Sequence, residues 1–343
     1  MKNSSAPFYA APFNRPTGVE KILSMKRFQQ VRLKTAMLLC GSLAVVVLAL
    51  TVSTASAGGP YLFSSFRGNG EDGLHLAYSF NGYQWTPVRN DESLLTPTVG
   101  DKLMRDPSIV RGPEGVYHMV WTSGWEDIGF GYSSSTDLIH WEPQRFFDVS
   151  NKIPDAKCAG APELFYDESQ HRYQIIWQTS KTSPKTGGVW DSRLYYTTTK
   201  DFTTFSPPQM LFDPGYNSID GSMMKVGDRY ALLFKNESET ILKVSMSDSA
   251  TGPFGTPTTI ATGTNGIEGP SGIKIGDSYY VYFDHYPAPA YYGAVKSSDF
   301  NTWTNVSGQM AFPSGFRHGT VFEAPQSVLN NIIGNPGEPN GAK

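Results

Sequence analysis

The chain has 343 residues, a formal net charge of −3, only two cysteines and an aromatic content of 13%. A near-neutral balance with no basic stripe in the body of the chain excludes the electrostatic footprint of a nucleic-acid binder. Cys40 lies in the N-terminal segment and leaves Cys158 alone, so no internal disulfide is expected and stability must come from the core.

Residues 1–24 read as an upstream extension or a misassigned start, because Met25 opens a stretch with the proportions of a secretory signal. Over 25–57, Lys26, Arg27, Arg32 and Lys34 flank an apolar run from Ala36 to Leu50, and Ala55-Ser56-Ala57 supplies small residues for cleavage. Cleavage near Ala57 predicts a secreted or periplasmic protein with no membrane tie after processing. The alternative is an uncleaved N-terminal anchor, since an uncharged run of about 17 residues lies at the lower limit for a span. Residues 58–330 are expected to form one folded domain and 331–343 a flexible tail.

Within that domain one phrase returns five times: small or aromatic strand residues, a turn of Ser, Asp, Asn or Gly, then an aromatic. Its copies run from Leu76 to Trp85, Gly131 to Trp141, Tyr195 to Phe205, Val244 to Phe254 and Gly293 to Trp303. A second phrase precedes four of them, with a polar or acidic start and an aromatic, β-branched strand to follow. It opens at Arg105-Asp106-Pro107-Ser108, Ala161-Pro162-Glu163, Ile219-Asp220-Gly221-Ser222 and Ile267-Glu268-Gly269-Pro270, with Arg317-His318-Gly319-Thr320 as the fifth start. Taken as equivalent points, Asp106, Glu163, Asp220, Glu268 and His318 recur roughly every 50 residues, the scale of a four-stranded blade. An all-β, five-bladed β-propeller is predicted, its ring closed by pairing Thr320-Val321-Phe322 with the strands between Tyr61 and Trp85. A β-sandwich is the rival, but it gives no reason for one phrase to recur at near-constant spacing.

Inner strands of a propeller line its axis, so the repeat starts converge and four carboxylates would ring one pocket. Like charges at close range raise one another's pKa and destabilise a fold unless a cation or proton is shared. A purely structural role explains such a cluster poorly. Hydrolysis of a glycoside with inversion requires this inventory: a carboxylate to activate water and a carboxylic acid to protonate the leaving oxygen. A third carboxylate can tune the acid.

The phrases around Asp106, Asp220, Glu268 and His318 resemble, in order and spacing, the motifs of glycoside hydrolase family 43, over nearly all of the chain from about Tyr61 to Pro325. The resemblance implies Asp106 as general base, Asp220 as pKa modulator and Glu268 as general acid. It also implies an inverting enzyme acting on oligosaccharides or polysaccharides, with α-L-arabinofuranosides or β-D-xylosides as the expected class and β-galactosides as a further one. No cofactor is required. In some members a histidine at the place of His318 holds Ca2+ or its waters; the rival reading is a hydrogen-bonded core histidine, since calcium needs further oxygen ligands that the sequence does not identify.

One departure is clear: relatives place a tryptophan before the Ala-Pro-Glu phrase, where this chain has Gly160. Substrate preference is what that change affects. Glu163 is then a hydroxyl-binding residue or a strand-start residue that accepts backbone hydrogen bonds. Trp125, Tyr216 and His285 with Tyr286 are candidates to contact sugar from the rim, or to serve in packing, and Arg317 to pair with a pocket carboxylate. Rival functions are a retaining fructan-type glycosidase and a carbohydrate-binding propeller that has lost catalysis. The fructan enzymes follow their acid with cysteine, whereas Gly269 follows Glu268 here. Oligomeric state is not legible.

Overall fold

A computed structural model describes residues 59–334, so the N-terminal signal-like segment and its Ala57 cleavage point lie outside the described residues. Those residues form five four-stranded antiparallel sheets. The innermost strands are Arg105–Arg111, Gly160–Asp167, Ser218–Val226, Ile267–Ile275 and Val321–Glu323. Each touches the next and the last touches the first, which closes the ring of a five-bladed β-propeller. The closing sheet joins the two ends of the domain: Val321–Glu323 pairs with Tyr61–Ser65, Phe322 opposite Leu62, and His75–Ser79 follows.

The recurring phrase has a physical cause. Asn81, Asp137, Asp201 and Asp299 each turn a side-chain oxygen back to accept the N–H groups two and three residues on, at 2.7–3.0 Å. That turn delivers the aromatic residue that follows. Trp85, for instance, packs edge-on against Phe63 at 5.2 Å, and Phe63 also meets Tyr282, Tyr292 and Phe316 at 5.2–5.4 Å. Such aromatic contacts between the first and last blades add roughly 0.5–1.5 kcal/mol each beyond their buried area.

A helix over Gln326–Ile333 seats Leu329 and Ile332 in the core beside Leu62 and Leu76. The expected flexible tail from 331 therefore overlaps a packed helix, whose apolar face was hidden by polar neighbours. No helix among the described residues is long and apolar enough to cross a membrane.

The inner strands share one irregularity that positions everything in the centre. Four of them slip register, between Arg105 and Ser108, Gly160 and Glu163, Ile219 and Ser222, and Glu268 and Ser271. Inside each slip one residue takes a left-handed backbone: Asp106 (φ 52°), Ala161 (42°), Asp220 (56°) and Gly269 (60°). A left-handed Ala is costly, so its return at this point marks a requirement of the ring rather than a local preference. Aligned on this bulge, the repeat starts are not the five equivalent points expected from sequence. Asp106, Ala161, Asp220, Gly269 and His318 form one tier; Glu268 stands one residue before it and Glu163 two residues after it.

Candidate active site

The tier of Asp106, Ala161, Asp220 and His318 opens into a cavity of about 250 Å³, to which Glu268 and Trp125 also contribute. Asp106, Asp220 and Glu268, scattered through the chain, thus line one hollow on the axis. Gly269 is the one member of the tier with no side chain, and a Cβ there would stand 2.5 Å from the His318 ring. Glycine at that point lets the imidazole lie across the axis.

His318 organises the charge. Its Nδ1 lies 3.2 Å from Asp106 Oδ1, and Thr122 Oγ1 donates to Asp106 Oδ2 at 2.8 Å. Burial works against a charged His318, but the carboxylates of Asp106, Asp220 and Glu163 around it push its pKa up to about 9. Burial likewise opposes ionisation of Asp106. The His318 cation, with Arg105 and the Thr122 hydroxyl, overcomes that and brings the Asp106 carboxyl down to about 2. Asp220 has the opposite fate: burial, then the charges of Glu268 and Asp106, raise it to about 6 against the pull of His318 and Lys235. Its Oδ2 accepts the Gly269 N–H at 2.9 Å, next to Glu268 in the chain. Two carboxyls of one type are therefore driven apart by their surroundings.

Glu268 is gripped at both oxygens. Lys235 Nζ lies 3.1 Å from Oε2 and Arg317 3.2 Å from Oε1. Lys235 is buried, pairs also with Glu237 and lies 4.7 Å from the centre of the Tyr286 ring. Arg317 is tied in turn to Asp284, so Glu268 has little freedom to leave its position.

Two residues below the tier lies another, made of Ser108, Glu163, Ser222, Ser271 and Thr320. These groups bond across blade boundaries: Leu164 N–H donates to Ser108 Oγ and Val321 N–H to Ser271 Oγ, both at 3.0 Å. Ser222 and Thr320 donate their hydroxyls to the two oxygens of Glu163 at 3.0 and 2.9 Å. Burial raises the Glu163 carboxyl, and these hydroxyls work against the shift.

Several expected contacts fall elsewhere. Glu163 does not line the cavity, because the bulge puts it a tier deeper with both oxygens occupied. Tyr216 stacks on Phe234 in a blade core, where burial raises its phenol. His285 stacks on Tyr291 at 4.3 Å and does not line the cavity, because its ring is spent on that neighbour. Arg317 pairs with the cavity carboxylate Glu268 as expected, while its own side chain lines a neighbouring cleft rather than the hollow. Trp125 does line the hollow; it is 57% exposed and carries the Arg105 guanidinium 4.4 Å from its ring centre.

The residues present do not fit a directly held Ca2+. His318 Nδ1 is turned to Asp106 Oδ1, and each oxygen of Glu163 receives a hydroxyl from a neighbouring blade. Among the described residues no three His, Cys, Asp or Glu side chains are placed to share an ion, far short of calcium's six to eight oxygens.

The second strand of each blade adds a polar side chain that sequence reasoning missed. Ser65, Thr122, Gln178, Lys235 and Asp284 each bond to the bulge region: to Arg317, Asp106, the Asp220 N–H, Glu268 and Arg317 respectively. Four of them follow an aromatic directly, in Trp121-Thr122, Trp177-Gln178, Phe234-Lys235 and Phe283-Asp284. That aromatic-then-polar pair was the available signal. Trp190 also lines the cavity, its carbonyl accepting from Asn217 at 3.0 Å.

Comparison with known proteins agrees with this geometry. A family model described as "Probable glycosyl hydrolase domain" and related to glycosyl hydrolase family 43 matches residues 58–327. An α-L-arabinofuranosidase of Bifidobacterium longum is 27% identical over 202 residues, which cover 51% of this chain and 19% of that protein, so the chain spans about a fifth of its curated relative. Among solved structures, an α-L-arabinofuranosidase of Lactobacillus brevis is similar with a TM-score of 0.50 at 14% identity, over 60% of this chain and 72% of the other. The catalytic domain of a GH62 α-L-arabinofuranosidase of Coprinopsis cinerea also gives 0.50, at 15% identity over 66% and 76%. At such identities these two likenesses are of fold.

Proposed function

The chain belongs to the family of glycosyl hydrolase domains related to family 43, and from that premise we propose that it hydrolyses O-glycosyl bonds with inversion at the anomeric carbon. The observation that carries this reading is that Asp106, Asp220 and Glu268 line one cavity of about 250 Å³ in unlike electrostatic settings. Asp106, kept ionised by His318 and Thr122, takes a proton from water as the water attacks the sugar. Glu268, held by Lys235 and Arg317, delivers a proton to the departing oxygen. Asp220, raised to about 6 by burial and by the neighbouring charges of Glu268 and Asp106, accepts the N–H of the residue after Glu268 and so fixes where the acid stands.

The substrate class proposed is a terminal α-L-arabinofuranoside or β-D-xyloside. In support, the curated relative is named an α-L-arabinofuranosidase, and the cavity holds about eight water-sized groups at roughly 30 Å³ each, room for one sugar ring. The test is hydrolysis of chromogenic arabinofuranoside, xyloside and galactoside, with the anomer of the first product read by proton NMR. Release of the inverted sugar supports the mechanism; the retained anomer rejects it.

A further inference from the structure

We infer that the side-chain amide of Gln178 is a specificity-determining residue, whose Nε2 donates to one ring hydroxyl of the sugar held in the catalytic hollow. The inference rests on the glycosidase reading above and deepens it. Of the five polar side chains on the second strands, four are spent within the protein. Thr122 donates to Asp106 and accepts the Ala161 N–H at 2.7 Å; Lys235 is divided between Glu268 and Glu237; Asp284 holds Arg317; Ser65 bonds both the N–H and the carbonyl of Arg317.

Gln178 differs. Its Oε1 accepts the Asp220 N–H at 2.8 Å, and that bond decides which way the amide faces, because a backbone donor must meet the oxygen. Nε2 is thereby turned to the Gly160 side, where a Cβ on Gly160 would stand 3.0 Å from it. Both residues line the cavity, and Nε2 has no acceptor among the described residues. Gly160 is what leaves room for this amide, in register opposite it across the sheet. A donor fixed in direction by the same backbone that carries Asp220 reads a hydroxyl with the geometry of the catalytic tier.

Two substitutions perturb this donor by different routes. Gln178→Glu keeps an oxygen for the Asp220 N–H and removes the donor; Gly160→Ala keeps the amide and crowds it. Each is assayed on the aryl glycoside that the enzyme cleaves and on its monodeoxy analogues. A new charge or a shifted Asp220 affects all of these substrates alike and cancels in their ratio, as in a double-mutant cycle. The expected result is a loss of roughly 10- to 100-fold in kcat/KM on the parent, against less than about twofold on one deoxy analogue, for both variants. Equal losses on the parent and every analogue overturn the inference and leave the glycosidase reading intact. If no glycoside is cleaved, that reading falls, and NMR titration with free arabinose, xylose and galactose decides about Gln178. Saturable binding that both variants weaken at least tenfold supports it; binding unchanged in the variants, or no binding, overturns it.

Discussion

Two tiers of five positions, two residues apart on the same inner strands, line the axis of this propeller and are made of opposite materials. The upper holds Asp106, Asp220 and His318, with charges that shift one another's protonation and a cavity above them. The lower holds three serines, Thr320 and Glu163, and its side chains close hydrogen bonds from blade to blade. A carboxyl on the axis is therefore no sign of chemistry by itself. What separates a reactive acid from a structural one is a displacement of two residues past a bulge.

The strongest way to break this comparison is to remove charge from the upper tier alone. Asp106→Asn preserves shape and the Thr122 contact but leaves no base for water and takes from His318 the carboxylate that holds its proton, so kcat per folded molecule is expected to fall by about 10³–10⁴-fold and the thermal midpoint to fall with it. Initial rates and calorimetry on the same sample check both halves. An Asp106→Asn enzyme within tenfold of the parent would remove the proposed base.

Glu268→Gln sharpens the same contrast through the leaving group. A substrate that departs poorly needs the proton and should lose about 10²–10⁴-fold, whereas an activated aryl glycoside should lose far less. Losses of equal size on both would mean that Glu268 positions the substrate rather than protonating the departing oxygen.

Next in size is a pH effect on stability confined to the upper tier. His318 is raised from 6.5 to about 9 in the fold, so its contribution is present in full below pH 6.5 and lost as pH rises through about 9. Asp220 is raised from 3.8 to about 6, which favours its protonated form and makes the fold lose stability over that rise too. Asp106, lowered to about 2, acts oppositely and loses its contribution only as pH falls below 3.8. Thermal midpoints should thus decline from about pH 4 to pH 9. In His318→Gln the decline between 6.5 and 9 should flatten, removing up to about 3 kcal/mol of pH-dependent stability. An unchanged slope in that variant would mean that His318 is neutral in the fold.

These tiers also show how far the residues could be read beforehand. Blade number and ring closure were legible because turn chemistry repeats: Asn81, Asp137, Asp201 and Asp299 announce themselves by type and spacing. Asp106, Asp220 and Glu268 were legible because their neighbours form phrases. The tier of Glu163 was not, because a bulge is a backbone event and nothing in Ala161-Pro162 spells a left-handed alanine. Gln178 and Lys235 were hidden for another reason: each follows an apolar run and opens the polar end of its strand, Gln178-Thr179-Ser180 and Lys235-Asn236, which reads as the strand's solvent end.

The smallest expected effect is the one that tests the lower tier. If Glu163 serves only to receive the hydroxyls of Ser222 and Thr320, then Glu163→Gln keeps an oxygen for one of them, and its amide can donate to the other once that hydroxyl turns. Such an exchange should alter stability by less than about 1 kcal/mol and leave kcat and KM within about twofold. Glu163→Ala opens the ring and strands two buried hydroxyls, at a cost of about 1–3 kcal/mol, again with kcat on the folded fraction nearly unchanged. Denaturation midpoints and active-site-normalised rates separate the two quantities. A large fall in kcat for Glu163→Gln with stability intact would place Glu163 in the chemistry, and the division between a reactive tier and a structural one would no longer hold.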